Sequence, residues 1–161
     1  METTIELYPK NSEEISKFLL EHWSSESIAS KGKITDASKI SRVIVRNEKG
    51  KIIGLATFLI NEKDKSCELV SIDALIERKG IGSGLIKSVE KAAKENGCSK
   101  VWLVTTNDNY EAAIFYIKNG YRLIEIHKDA LDISRKLKPQ IPTKGKYGIP
   151  MQDEWEFEKS L

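Results

Sequence analysis

Cysteine is scarce in this chain of 161 residues, with Cys67 and Cys98 its two examples. They stand far apart and form no Cys-x-x-Cys pair, which argues against a disulfide framework or a thiolate metal centre and predicts two reduced, buried thiols. An excess of charge is also missing. The 26 basic and 24 acidic residues leave a net +2 and are interspersed, which argues against a dedicated nucleic-acid surface. No apolar run approaches the roughly 20 residues that a membrane helix needs. The N-terminal segment carries Glu2 and Glu6 where a leader would be basic and then apolar. No internal repeat is visible. These absences predict one cytoplasmic domain over residues 1–161, with no metal, nucleic acid or membrane among its partners.

Glycine is not abundant either, at ten residues, yet Gly80, Gly82 and Gly84 fall within five positions. What surrounds them reads as alternating elements. Residues 3–8 alternate as a first strand, and Asn11 or Ser12 caps a helix whose Ile15, Phe18, Leu19 and Trp23 recur at helical spacing. Residues 24–41 are polar, with only a weak helical signal. Strands over 42–47 and 51–61 flank the turn Glu48-Lys49-Gly50, and a further strand over 67–74 feeds the glycines. A helix over 82–96 shows a stripe of Leu85, Val89, Ala92 and Ala93, with Gly97 at its end. A buried strand over 100–105, a short helix over 109–118 and a strand over 121–127 come next. A helical piece then runs to Lys138, followed by a basic Pro/Gly loop over 139–150. In the last strand, 153–159, Trp155 and Phe157 are expected on one face and Glu154, Glu156 and Glu158 on the other. The hairpin followed by strand-helix-strand crossovers predicts an α/β fold with a mixed, mostly antiparallel sheet and helices on both faces.

The run Glu77-Arg78-Lys79-Gly80-Ile81-Gly82-Ser83-Gly84-Leu85 sits between a strand and a helix. Glycines let a backbone approach a ligand, and a helix N-terminus turns N–H groups and a positive dipole end toward it, so the turn suits a pyrophosphate. A dinucleotide fingerprint spaces its third glycine one residue later, and a Walker loop needs Lys-Ser/Thr where Leu85 stands. A purely structural reading, a tight turn with glycine for helix packing, stays open on this run alone.

A second signal lies downstream: Asn109-Tyr110-Glu111-Ala112-Ala113-Ile114-Phe115-Tyr116, closing on Asn119-Gly120-Tyr121. The two together resemble the GNAT superfamily of acyl-coenzyme A-dependent N-acyltransferases. Its motifs read Gln/Arg-x-x-Gly-x-Gly/Ala and roughly Asn-x-x-Ala-x-x-Phe-Tyr-x-x-x-Gly-Phe. Gly80 and Gly82 match the first; Asn109, Ala112, Phe115, Tyr116 and Gly120 match the second. Glu77 stands at the Gln/Arg position and Tyr121 at the final Phe. Ser134-Arg135 and the segment from Ile149-Pro150 to Glu154 resemble an uncharacterised bacterial branch of the superfamily.

The resemblance implies acetyl-CoA as co-substrate, bound in a cleft beside the glycine turn, and direct transfer of its acetyl group to a primary amine. Arg78, Lys79, Gly80, Ile81, Gly82, Ser83 and Gly84 would hold the phosphates. Ser71, Ile72 and Asp73 would offer backbone groups to the pantetheine arm, with the N–H near Ile72 polarising the thioester carbonyl. Asn109, Ala112 and Phe115 would contact the coenzyme, although Asn109 also suits a helix cap. Tyr116 would protonate the leaving thiolate; its alternative is an amphipathic ring packed under the sheet. Glu68 is the candidate base, on the face of Val70 and Ile72, with His22 as another option; Glu154 would line the acceptor pocket if the last strand borders it. The superfamily commonly dimerises, so a homodimer is a further expectation. A non-catalytic acyl-coenzyme A sensor is the rival reading, and a nicotinamide enzyme a weaker one. The acceptor itself is not legible.

Overall fold

The computed structural model describes residues 1–161. In chain order its elements are β1 (Glu2–Glu6), α1 (Glu13–Trp23), β2 (Ser27–Ser30), β3 (Lys33–Asp36), β4 (Ser41–Arg46), β5 (Ile52–Asn61), β6 (Ser66–Ala74) and α2 (Ile81–Glu95). There follow β7 (Lys100–Thr106), α3 (Tyr110–Lys118), β8 (Arg122–His127), α4 (Ala130–Leu137) and β9 (Glu154–Ser160). The architecture is mixed α/β, with seven strands in a mostly antiparallel sheet and a separate ribbon of β2 and β3. The chain divides into two compact units, the first of residues 1–28, 36–101 and 161, the second of residues 29–35 and 102–160.

In the first unit the strands run in the order β1-β4-β5-β6, each pair antiparallel. Val43, Ile44 and Val45 of β4 are all buried, so both faces of this sheet are covered. Ile44 and Leu55 join Ile15, Phe18 and Leu19 of α1 in one core cluster. Those helical positions are separated by three and four residues, and each buried side chain is worth about 1.5–3 kcal/mol. On the opposite face Val45 borders Gly54, where Ile81 and Leu85 of α2 descend on the strand. Alternation along β4 therefore places α1 and α2 on opposite faces. Ser12 caps α1, its hydroxyl accepting from the Ile15 N–H at 3.5 Å. Arg42, 4% exposed, is neutralised by Glu6 and also donates to the carbonyls of Ser38 and Lys10.

The polar stretch 24–41 departs from expectation: it forms the β2–β3 ribbon and one turn of 3₁₀ helix at Ala37–Lys39, capped by Asp36. Lys31 and Gly32 both take positive φ, 50° and 71°, the backbone of a tight hairpin turn whose twist matches its strands. The strands are only four residues each, too short for alternation to declare itself.

In the second unit the order is β7-β9-β8, with β8 and β9 antiparallel. The expected polar face of β9 is corrected here. Glu154 is 2% and Glu156 6% exposed, as buried as Phe157, while Trp155 is half-buried. The cause is the Lys31 turn, which lies over that face. Its backbone N–H donates to Glu154 Oε2 at 2.9 Å and its Nζ to Glu156 Oε1 at 2.5 Å, while the Ser134 hydroxyl donates to Glu154 Oε1 at 2.9 Å. Buried carboxylates persist when paired and hydrogen-bonded in this way.

Candidate active site

The glycine turn is built by two left-handed residues. Arg78 has φ 58° and Gly80 φ 72°, and Gly80 delivers the chain into α2 with no side chain capping the helix. The first intrahelical donor is the Gly84 N–H, to the Gly80 carbonyl at 2.9 Å. The N–H groups of Ile81, Gly82 and Ser83 precede it and have no intrahelical acceptor. The first turn of α2 holds no acid, and Glu77, Arg78 and Lys79 are exposed. An anion is the ligand that such a terminus favours.

The strand leading into this turn is irregular where a ligand would need it to be. Thr57 pairs with Ser71 and Phe58 with Leu69, so Val70 has no partner on β5. Such a bulge bends a strand and interrupts its ladder. Ladder pairing resumes beyond it, Ile72 with Ala56 and Asp73 with Leu55. The interruption thus falls two residues ahead of Ile72, where the backbone donor was expected. Ser71 is 4% exposed and its hydroxyl bonds that of Thr57 at 2.6 Å, leaving its backbone as what it can offer a ligand. Glu68, Val70 and Ile72 are half-buried. The bulge corrects the expected facing of Glu68: it pairs with Leu59, on the face of Leu55, whereas Ile72 pairs with Ala56 on the other face. Asp73 sits opposite Leu55, hence on the α1 face. Burial pushes its carboxyl above the usual range, against the opposing pull of His22.

In the second unit, Asn109 caps α3 by accepting from the Ala112 N–H at 3.3 Å. Its spacing to Ala112, Phe115 and Tyr116 places these residues along one side of the helix. Tyr116 is 7% exposed. Its ring meets Phe115 at 5.3 Å, Phe157 at 5.8 Å and Tyr121 at 6.0 Å between centroids. Burial drives its phenol well above the ordinary value, so it stays protonated across the physiological range. Gly120, with φ 90°, ends the helix as only glycine does readily.

Asn107 and Asp108, expected simply to form a turn, do more. Asn107 Oδ1 accepts from the N–H groups of Gln152 and Asp153 at 2.9 and 3.1 Å, and its Nδ2 donates to the Pro150 carbonyl. Asp108, 4% exposed, accepts from Thr106 and from the Lys146 N–H. Lys146 Nζ reaches Asn109 Oδ1 at 3.2 Å, and the Tyr147 hydroxyl donates to Glu111. The 139–150 loop is thereby latched to the entry of α3. The sequence signal for this latch is a run of small polar residues, Thr105 to Asn109, at the end of a strand and just past it.

The comparisons with known proteins decide the family. Residues 5–121 match the model of the acetyltransferase (GNAT) family. The chain belongs to that family. This GNAT chain is 39% identical over 147 residues, 91% of each sequence, to the uncharacterized Bacillus subtilis protein YdhI, and 36% identical to YxbD of the same organism over the same shares. Its fold is that of an IAA acetyltransferase from Bacillus cereus, with a TM-score of 0.71 at 22% identity, covering 99% of this chain and 100% of that one. A GNAT acetyltransferase from Elizabethkingia anophelis, solved with acetyl-CoA bound, aligns with a TM-score of 0.68 at 19% identity over 99% and 98% of the two chains. A Bacillus subtilis acetyltransferase in complex with CoA gives 0.68 at 18% identity over 99% of each.

The sequence-derived GNAT site residues thus fall into two sets. Glu68, Ser71, Ile72, Asp73 and the run from Arg78 to Gly84 lie on β6 and the turn into α2. Asn109, Ala112, Phe115 and Tyr116 lie on α3 and its cap.

Proposed function

We propose that this protein transfers the acetyl group of acetyl-CoA to a primary amine by direct attack. The observation that carries the reading is the uncapped, acid-free N-terminus of α2 behind left-handed Gly80, at the glycine motif of a GNAT chain. In this reading the N–H groups of Ile81, Gly82 and Ser83 take the pyrophosphate of the coenzyme. Backbone groups of the bulged segment from Val70 to Asp73 align the pantetheine arm and polarise the thioester carbonyl.

The acceptor, neutral after losing a proton to a base, attacks the thioester carbon through nitrogen. The C–N bond forms, the C–S bond breaks, the departing thiolate takes the phenolic proton of Tyr116, and the proton shed by the attacking nitrogen on becoming an amide restores the phenol. The phenol holds its proton in the physiological range and so can donate it, while burial makes it a weaker acid than a free tyrosine. Glu68 is the proposed base, through water. Relatives solved with CoA or acetyl-CoA support the donor half.

The test is coenzyme A release in the presence of an amine panel. Tyr116→Phe keeps the ring packing and is expected to lower kcat by about a hundredfold or more with acetyl-CoA affinity little changed. Unaltered turnover would make Tyr116 a packing residue. Coenzyme binding without release on any amine would favour a sensor role.

A further inference from the structure

We infer that Glu125, His127 and Glu156 form a binding site for a divalent transition-metal ion, outside the residues assigned to acetyl transfer. Glu125 and His127 alternate on one face of β8. Across the β8–β9 ladder Glu125 stands directly opposite Glu156, and His127 opposite Glu154. Three carboxylates and an imidazole therefore crowd one face of a two-stranded ribbon. Like charges directly opposed across strands are unfavourable, and Glu156 is 6% exposed, so water does little to relieve them. The Lys31 ammonium beside Glu156 is one positive charge against three carboxylates, which leaves the face short of cationic charge.

The geometry fits a metal cation. A ligand atom from each of the three residues lies within 4.8 Å of the other two. His127 Nε2 is 3.7 Å from Glu156 Oε1, and Nδ1 is 3.9 Å from Glu125 Oε1. These separations are too long for hydrogen bonds. One ion takes one ring nitrogen: the Nε2–Glu156 separation is close to the spacing of two ligands around an ion with bonds of about 2.0–2.2 Å, and Glu125 completes the set within 4.8 Å. His127 Nε2 is moreover a buried nitrogen without a hydrogen-bond partner, which is a cost to the fold unless something ligates it. Imidazole with carboxylates suits zinc, cobalt or nickel better than magnesium or calcium. Glu125 is exposed, giving the ion a way in.

Lys31 bears on the affinity. Its Nζ sits 2.5 Å from Glu156 Oε1 and 4.5 Å from the centre of the Trp102 ring. It supplies one positive charge to this face and competes with a metal for Glu156. Its side chain is 40% exposed, so the ammonium can swing to solvent when an ion enters.

The test uses the full chain after chelator treatment, with ZnCl2 followed by calorimetry and CoCl2 by visible absorption. One equivalent should bind, with cobalt bands of nitrogen and oxygen ligation and no thiolate charge transfer from Cys67 or Cys98. Losing a second-sphere partner already costs about tenfold or more in affinity, so His127→Ala and Glu125→Ala should each weaken binding at least that far. Lys31→Met should tighten it. Glu156→Gln should abolish it; should that variant fail to fold, His127→Ala and Glu125→Ala still decide. No binding by the wild type, or binding that survives His127→Ala unchanged, would overturn the site.

Discussion

Asp73 shows how one residue can be read from the structure where the sequence is silent. Alternation placed it on the face opposite Glu68, but the bulge at Val70 reverses that: Asp73 stands opposite Leu55 and Glu68 opposite Leu59, two residues on one face of β5, the α1 face. Burial raises its carboxyl above the ordinary range, with the charge of His22 and a hydrogen bond from the Ala74 backbone pulling the other way. A carboxyl raised on folding holds its proton better folded than unfolded. It therefore supports the fold below its unfolded value of about 3.9 and costs stability as pH climbs through its folded value. Asp73→Asn is expected to raise Tm near pH 7 and to leave it almost unchanged near pH 3, read by thermal melts across that window. A lowered Tm at neutral pH would contradict this account. Asn109 was legible earlier as a helix cap, because Asn directly before a helical run suits that role. Asp108 and Glu154 were not, since a carboxylate in a sequence looks solvated until a partner from a distant segment covers it.

At the scale of elements, strongly periodic pieces were legible and contact-dependent ones were not. The stripe of α2 announces itself by period, and β4 by a short continuous apolar run. The reason for Gly54 inside β5 does not, because it lies in the helix above. A Cβ there would stand 2.7 Å from Ile81 Cγ2 and 3.2 Å from Leu85 Cδ1. Gly54→Ala should cost about 1–3 kcal/mol by overpacking and, by lifting the first residue of α2, weaken acetyl-CoA binding. Gly84→Ala is its contrast. No atom lies within 4 Å of its Cβ position, so stability should hold or rise by up to about 1 kcal/mol. Equal stability of the two variants in denaturant titrations would remove the packing argument. The 139–150 loop carries a second test. A Cβ on Gly145 would collide with the Asp108 carboxylate and Met151, so Gly145→Ala should unlatch the loop. Trypsin should then cut after Lys144 or Lys146 several times faster; unchanged cleavage would mean that the latch is not what holds this segment.

For the molecule as a whole, composition set what to exclude and the two motifs set what to expect. The fold class and the family followed from glycines and a helix motif in the right order. The β2–β3 ribbon and the buried acids of β9 did not, because each depends on the other: Lys31 is an ordinary surface lysine until Glu154 and Glu156 are brought under it. No helix is long and apolar enough to cross a membrane. The near-balance of charge, +2 over 161 residues, leaves the attraction of a polyanionic coenzyme to local features, chiefly the terminus of α2. That makes the glycine turn the point on which the proposed function stands. The most direct measurement is calorimetric titration of acetyl-CoA into the wild type and Gly82→Glu, with free CoA and NAD as comparators. The turn assignment predicts that acetyl-CoA and CoA bind the wild type, that NAD does not, and that Gly82→Glu keeps its fold but loses both ligands. Acetyl-CoA binding that survives Gly82→Glu, or fails in the wild type, would contradict it.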